Sequence, residues 1–248
     1  MTAPLIFEKE VTVTPDLCDC KAGFAPLAAF TVFQGIATEH AELLGIGGFA
    51  MAARGEFWLT AHTRVDFLAP ALLMQKLTAR TWAEAYNPSA LRCYRSYELC
   101  RGETVIALGR TEWAVLGPEQ KLVTIGDSGF PKDYPAPDKS AIAERPKRFR
   151  DDFTEEERYA AYAVRSTDID FGRHMNNVAY VRLLLDSYSS RELASGRIRS
   201  IEIHYSSSAL EGEELTLYRK TDGNTQRFCI RRPDGKAAAL AMVTLREA

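Results

Sequence analysis

The sequence predicts an α+β protein made of two similar halves, each with one long helix and several antiparallel strands. Apolar and polar residues alternate in many short segments, as expected for strands with one buried face. Each half also contains one helical apolar stripe, and the order of elements is the same in both. The apolar content of 46% over 248 residues is sufficient for a substantial hydrophobic core.

In the first half, a predicted strand at 11–13 precedes the long helix, and four longer strands follow it. Pro26 favours the helix start, because proline is well tolerated at the first helical position. The helix carries an apolar stripe formed by Phe30, Phe33, Ala37 and Leu44. Its end is predicted at the GIGG sequence that follows. Alternation places the four strands within residues 56–67, 75–86, 90–99 and 104–116.

The second half repeats this order. A strand is predicted at 158–165, and a helix is predicted from about Met175 to Glu192. The apolar stripe of this helix, which we assign to core packing, consists of Val178, Val181, Leu185 and Tyr188. The strands that follow are predicted near 198–206, 213–220, 225–232 and 236–245.

Alignment of the two halves supports a duplication. At an offset of 138 residues, a segment of the first half matches the second at positions that include Ala71 with Ala209. At an offset of 133, Gly102 matches Gly235, where both would form hairpin turns. The predicted division is therefore a first unit at 1–127, a proline-rich and charged linker at 128–155, and a second unit at 156–248.

Composition limits the classes of partner and cellular location. The chain has 31 basic and 33 acidic side chains, and its net charge of -2 gives no reason to expect nucleic acid as a partner. No segment reaches the ~18 consecutive apolar residues of a membrane span, and the N-terminus lacks a secretion signal pattern. The five cysteines cannot all pair within one chain and lack metal-ligand spacing. We therefore expect a cytoplasmic protein without a metal or another cofactor.

The segment 165–188 contains the candidate functional residues. Two aspartates and a histidine follow a predicted strand in a glycine-containing turn, and a helix then begins with two asparagines. This junction would place a general base, Asp170, and the imidazole of His174 beside the N–H groups and positive dipole end of the helix. Simpler roles exist for the same residues, because Asp168 or Asp170 could cap the helix. Turn asparagines and single histidines are also often structural.

The sequence DIDFGRHMNNVAY at 168–180 resembles the signature D-x-D-x-N-x-H-V-N-N-x-x-Y of the acyl-ACP thioesterases of plants and bacteria. Other segments over most of the chain resemble this family in the same order. The resemblance implies two tandem hot-dog units, each a long helix wrapped by an antiparallel sheet. It also implies hydrolysis of fatty acyl-[acyl carrier protein] thioesters to free fatty acid and holo-ACP in fatty acid biosynthesis.

The resemblance also implies roles for individual residues. Asp170 and His174 would be catalytic, and Asn176, Asn177 and Tyr180 would position the substrate. Water would then attack the thioester directly, with Asp170 as the base and His174 orienting water or thioester.

Three residues depart from the family pattern. The family asparagine is replaced by Gly172, and a glutamate–cysteine pair of plant members is replaced by Ser208 and Ala209. A cysteine nucleophile at that position is therefore excluded, and Ser208 is a candidate for holding the attacking water. Glu202 and His204 share one face of a predicted strand, for which a solvated or helix-facing role is expected rather than chemistry.

The implied partner is acyl carrier protein with an acyl chain on its 4'-phosphopantetheine arm, and a homodimer is compatible with the resemblance. Because carrier proteins are acidic, basic side chains should meet them. The candidates form two clusters: Arg145, Lys147, Arg148 and Arg150, or Arg191, Arg197 and Arg199. An acyl-CoA thioesterase on the same fold and a catalytically weak acyl-binding module are the alternatives, and a hydratase is a weaker one.

The chemistry is predicted to reside in the second half alone, while the first half supplies acyl-pocket wall and a partner sheet. At an offset of 150 residues, the two strand-to-helix junctions align without gaps. This alignment pairs Asp170 with Cys20 and His174 with Phe24. The first half would then lack both the base and the imidazole.

Overall fold

The computed structural model, which describes residues 3–118 and 121–247, contains helices and antiparallel strands in an α+β arrangement. In the first half, the helices are α1 (Pro26–Leu43) and α2 (Gly48–Ala52). Its strands are β1 (Phe7–Thr12), β2 (Phe57–Phe67), β3 (Lys76–Ala83), β4 (Cys93–Arg101), β5 (Thr104–Leu116) and β6 (Leu122–Val123). The predicted helix start at Pro26 and the four long strands are confirmed, with small differences at strand ends.

The second half contains the helices α3 (Asn177–Leu185) and α4 (Ser190–Leu193). Its strands are β7 (Arg158–Ala163), β8 (Ile198–Tyr205), β9 (Glu214–Asp222), β10 (Thr225–Arg231) and β11 (Ala237–Leu245). The prediction of one continuous helix over 175–192 is wrong, because the chain breaks between α3 and α4. Ser189 starts α4 with a capping box, in which its side chain and backbone bond with Glu192.

All strands described belong to one antiparallel sheet, in the order β1-β3-β4-β5-β2-β8-β11-β10-β9-β7, with β6 paired to β5. The two halves meet where β2 pairs with β8, and His62 lies opposite His204 there. Helices α1 and α3 pack against the same face of the sheet, since Phe33, Leu184 and Ile203 belong to one core cluster. The halves therefore share backbone hydrogen bonds and a hydrophobic core.

The residues between the halves, 128–154, form a strap that lies across the other face of the sheet. Strand alternation turns Glu202 and His204 away from the core, and both side chains bond to the backbone of Lys147 in the strap. Three apolar side chains of the strap are buried, namely Phe130, Ile142 and Phe153. The predicted linker is thus a packed segment rather than a free surface tether.

The strand-to-helix junctions of the two halves have the same backbone hydrogen bonds at an offset of 151 residues. The N–H of Asp19 donates to Gly23 O at 2.7 Å, and that of Asp170 donates to His174 O at 3.0 Å. The offset of 150 is therefore wrong by one residue: Asp170 corresponds to Asp19 rather than to Cys20, and His174 corresponds to Gly23 rather than to Phe24. Turn hydrogen bonds set this correspondence, and residue identities in so divergent a segment did not reveal it.

The other two alignments agree with the structure. Phe24 N–H donates to Ala71 O at 2.8 Å, and Met175 N–H donates to Ala209 O at 2.9 Å, so each junction is tied to the equivalent loop. The hairpins that contain Gly102 and Gly235 both require a positive φ, which is 57° and 80° respectively. Within residues 3–118 and 121–247, we find no helix with the length and apolar character needed to cross a membrane.

Candidate active site

A tight turn between β7 and α3 presents the predicted carboxylate and imidazole. Asp170 N–H donates to His174 O, Arg173 N–H donates to Asp170 O at 2.9 Å, and Asp170 Oδ1 accepts from Gly172 N–H at 2.8 Å. Arg173 has a φ of 63°, but the equivalent Ala22 has a φ of 60°. This backbone strain therefore belongs to the turn type rather than to catalysis. The His174 side chain is exposed and Asp170 is half-buried, so solvent or substrate can reach both.

The other aspartate of the motif, Asp168, has a structural role. It is buried and accepts hydrogen bonds from Tyr162 OH at 2.8 Å, Arg165 N–H at 2.8 Å and Arg182 at 2.5 Å. Burial alone would raise the pKa of Asp168, but these hydrogen bonds outweigh it and lower the pKa below its ordinary value. Asp168 is thus a paired, ionised anchor, which leaves Asp170 as the accessible base.

The start of α3 is held by the two asparagines in different ways. Asn176 is the N-cap, and its side chain accepts from Val178 N–H at 2.8 Å, so neither aspartate caps the helix. Asn177 Nδ2 donates to Thr60 Oγ1 of β2 at 2.7 Å, and its carbonyl accepts from Tyr205 OH at 3.3 Å. The orientation of Asn177 therefore depends on a residue of the first half.

Tyr180 and the loop after β8 lie beside the turn. Ala209 N–H donates to the buried Tyr180 hydroxyl at 2.9 Å, and Ala209 O accepts from Met175 N–H, the residue after His174. Burial raises the pKa of Tyr180 to about 12, so the phenol stays protonated. Ser208 is exposed and adjacent to Ala209, so the structure brings Ser208 close to the turn.

A narrow cavity begins at Asn177 and continues between the helices and the sheet. Its walls include Phe30 and Phe33 of α1, Thr60 of β2 and Val178 of α3. The enclosed space is about 40 Å³. This is far below the roughly 300–1,000 Å³ of typical small-molecule pockets, so side chains must move before a long chain can enter.

Sequence reasoning missed the residues that the first half brings to this site. Thr60 and Asn177 are 117 positions apart, and the alternation of β2 gave no sign that Thr60 differs from its neighbours. Phe49 of α2 was also missed. Its ring lies 6.3 Å from that of Phe171 in the turn, and the two residues are 83% and 77% exposed.

Glu202 and His204 lie outside this site. Glu202 is buried and accepts from His62 at 2.9 Å and from Lys147 N–H at 2.8 Å, while His204 Nε2 donates to Lys147 O at 2.7 Å. The expected solvated or helix-facing role is wrong, because both side chains face the strap. The sheet separates them from Asp170, so they contribute to stability rather than to the candidate site.

A family model described as the acyl-ACP thioesterase C-terminal domain matches residues 152–246, which include the turn and the strands β8 to β11. No curated protein sequence matches the chain. Among solved structures, the chain is similar to an acyl-ACP thioesterase from Bacteroides thetaiotaomicron. The TM-score is 0.86 at 19% sequence identity, and the alignment covers 97% of this chain and 98% of that chain.

The chain is also similar to the 12:0-ACP thioesterase from Umbellularia californica, with a TM-score of 0.81 and 16% identity over 98% of both chains. At such identities, the likeness to solved structures shows the fold, and the family match concerns the second half. The chain therefore has the fold of bacterial and plant acyl-ACP thioesterases, and residues 152–246 belong to the family of their C-terminal domains.

Proposed function

We propose that this chain hydrolyses fatty acyl-ACP thioesters to free fatty acid and holo-ACP, as in fatty acid biosynthesis. The observation that carries this proposal is the turn that presents Asp170 and His174 at the start of α3, next to an interior cavity. The family match covers this turn. A base, an imidazole and helix N–H groups at the mouth of a cavity are what hydrolysis of a bound acyl thioester requires.

In the proposed mechanism, His174 orients a water molecule or the thioester, and Asp170 takes a proton from the water as its oxygen attacks the carbonyl carbon. The carbonyl oxygen gains negative charge, which donors at the positive end of α3 stabilise. Collapse of the tetrahedral intermediate breaks the C–S bond, and the proton held by Asp170 passes to the departing sulfur. Asn177 and Ser208 position the thioester and water, Tyr180 fixes the adjacent loop, and Asn176 holds the helix start.

We further propose that the fold consists of two tandem hot-dog units, at 1–127 and 156–248, joined by the segment 128–155. The shared turn hydrogen bonds at an offset of 151 residues support a duplication. In this arrangement the first unit supplies the cavity wall and the partner sheet that a second subunit would otherwise provide. The site is complete in one chain, so activity does not require a homodimer.

The proposed carrier is ACP with its 4'-phosphopantetheine arm, in the cytoplasm. Acyl-CoA presents the same thioester and the same pantetheine, so the two carriers differ only in what lies beyond the arm. Favouring ACP is the match of residues 152–246, whose family is described by that carrier. A catalytically weak binding module remains the alternative with an observation behind it, because Gly172, Ser208 and Ala209 replace polar or nucleophilic family residues.

A direct assay separates these functions. Purified protein is given acyl-ACP and acyl-CoA with the same acyl chain, and released thiol and free acid are both measured. We expect release from both carriers, with a higher kcat/KM for acyl-ACP. A higher kcat/KM for acyl-CoA would favour the CoA thioesterase, and binding of acyl-ACP without release above background would favour the binding module.

A further inference from the structure

The cavity next to Asn177 has a more polar wall than a saturated hydrocarbon chain requires. Besides the two phenylalanines of α1, its lining includes the hydroxyl groups of Thr63, Thr111 and Tyr97 and the indole of Trp113. Thr63 and Thr111 lie opposite each other on β2 and β5, and their hydroxyl oxygens are 3.4 Å apart. Hydrocarbon offers no hydrogen bond to such groups, so a purely apolar ligand would leave them unpaired.

The indole N–H of Trp113 is the most informative of these groups. Its Nε1 atom is buried, and no group in residues 3–118 or 121–247 accepts a hydrogen bond from it. The Tyr97 phenol lies near the indole, but without hydrogen-bond geometry to Nε1. An indole N–H can only donate, and a buried donor without an acceptor is destabilising.

The other two tryptophans differ in this respect. Trp58 Nε1 donates to Ile46 O at 2.9 Å, and Trp82 Nε1 donates to Lys139 O at 2.7 Å. Of the three indoles, the one without an acceptor is thus the one that combines a buried N–H with a place in the cavity wall next to Asn177. An acceptor carried by the ligand would complete its hydrogen bonding.

The position of Trp113 indicates where on the ligand that acceptor lies. Trp113 is directly opposite Thr60 in the pairing of β5 with β2. Directly opposite residues in antiparallel strands have Cα atoms about 4.5–5.5 Å apart. Thr60 in turn holds Asn177 at the start of α3. The indole is therefore close to the thioester end of a bound acyl chain and distant from the tip of any long chain.

We propose that the preferred acyl group carries an oxygen substituent, a hydroxyl or keto group, close to its thioester, and that this oxygen accepts from Trp113 Nε1. This inference rests on the proposed thioesterase function and specifies its substrate class. A site built to bond a substrate oxygen discriminates against the analogue without it, because the buried donor is then left unpaired. The discrimination expected for one such donor is roughly tenfold or more in kcat/KM.

The test compares 3-hydroxyacyl-ACP, 3-oxoacyl-ACP and unsubstituted acyl-ACP of one chain length, each assayed for kcat/KM. Wild-type protein is expected to prefer at least one of the oxygenated substrates by roughly tenfold or more. Trp113→Phe keeps an aromatic ring but lacks the N–H, and should bring this ratio close to one. Trp82→Phe loses an indole N–H on the strap side and should keep the wild-type ratio. Because each ratio is measured on one preparation, partial unfolding of a variant does not change it.

The outcomes separate this inference from the function on which it rests. Equal kcat/KM values for all three substrates in wild-type protein would overturn the inference and leave the thioesterase function intact. A preference that survives in Trp113→Phe would also overturn it, because another group would then read the oxygen. Failure to hydrolyse any of the three would overturn the proposed function itself.

Discussion

Asn177 of α3 donates its side-chain N–H to the hydroxyl of Thr60 on β2 at 2.7 Å, and this hydrogen bond joins the second half of the chain to the first. The candidate base and imidazole both belong to the second half. The residue that fixes Asn177 does not. The expectation that the first half contributes only pocket wall and partner sheet therefore needs to be extended, because the first half also orients a polar group of the site.

Thr60→Val tests this role. Valine has nearly the shape of threonine but cannot accept the Asn177 hydrogen bond, so Asn177 loses its orientation while the strand keeps its packing. We expect kcat to fall roughly 2- to 12-fold, the equivalent of about 0.5–1.5 kcal/mol for one hydrogen bond. The measurement is steady-state hydrolysis of acyl-ACP by Thr60→Val, Asn177→Ala and the double variant. If the two effects are simply additive, the hydrogen bond does not act in turnover.

Asp170→Asn tests the general base, and the first half offers a matched control. Asp19 accepts from the N–H groups of Lys21 and Gly23 at 2.8 and 3.0 Å, in the same type of turn. Asp170→Asn should lower kcat by roughly 10²–10⁴, the range for loss of general-base catalysis, with an unchanged Tm. Asp19→Asn makes the equivalent change without touching the site and should keep near-normal kcat. Near-normal turnover in Asp170→Asn, with folding verified, would rule out this base.

His174→Ala tests the imidazole. The side chain is exposed, and the equivalent position in the first half is Gly23, so the turn does not need a side chain here to form. We therefore expect Tm to change little while kcat falls roughly 10²–10⁴-fold, as for loss of a positioned acid–base group. A fall in Tm together with a small change in kcat would instead indicate that His174 has a structural role.

The site residues that the sequence predicted all come from one local segment and its neighbouring loop. Asp170, His174 and Asn177 are close in sequence, so spacing and family resemblance were enough to find them. Thr60 was not predictable in this way, because only the pairing of β2 with β8 and the packing of α3 bring it near. The break after α3 did have a local signal, since Ser189 and Glu192 have the spacing of a capping box.

Carrier docking distinguishes the two basic clusters. The strap cluster, around Lys147, lies on the sheet face opposite α1 and α3. Arg191 is exposed on α4, whose Ser190 carbonyl is 3.3 Å from Cys20 Sγ in the first-half turn, and Arg199 shares the strand face of Ile201. The second cluster is thus on the helix side, as is the candidate site.

We therefore expect charge reversal of Arg191, Arg197 and Arg199 to raise KM for acyl-ACP at low salt, with a smaller effect at high salt because exposed charges are screened. The same change in the strap cluster serves as the control and should leave KM nearly unchanged. KM is measured at low and at high ionic strength for both sets. If neither set changes KM at low salt, basic docking is excluded for both clusters.

Acid should destabilise the first half through a buried histidine. His40 accepts from Arg95 Nη1 at 2.9 Å and donates to Pro4 O at 2.9 Å, which requires a neutral ring. Burial and the Arg95 charge lower the pKa of His40 to about 4, although the bond to Pro4 opposes this. His204 has a lowered pKa for related reasons, namely burial and the neighbouring His62.

Because the folded-state pKa of His40 lies below its ordinary value of 6.5, the unfolded chain binds more protons between pH 6.5 and about 4. The contribution of His40 to stability is therefore complete above pH 6.5 and is lost as the pH falls towards 4. The loss should be on the order of 2–3 kcal/mol, since a tenfold shift in protonation corresponds to about 1.4 kcal/mol. Denaturant unfolding at several pH values measures it. His40→Gln cannot titrate, so its stability should fall less over this range, and the difference from wild type separates His40 from His204. An identical pH dependence in both proteins would show that His40 titrates normally.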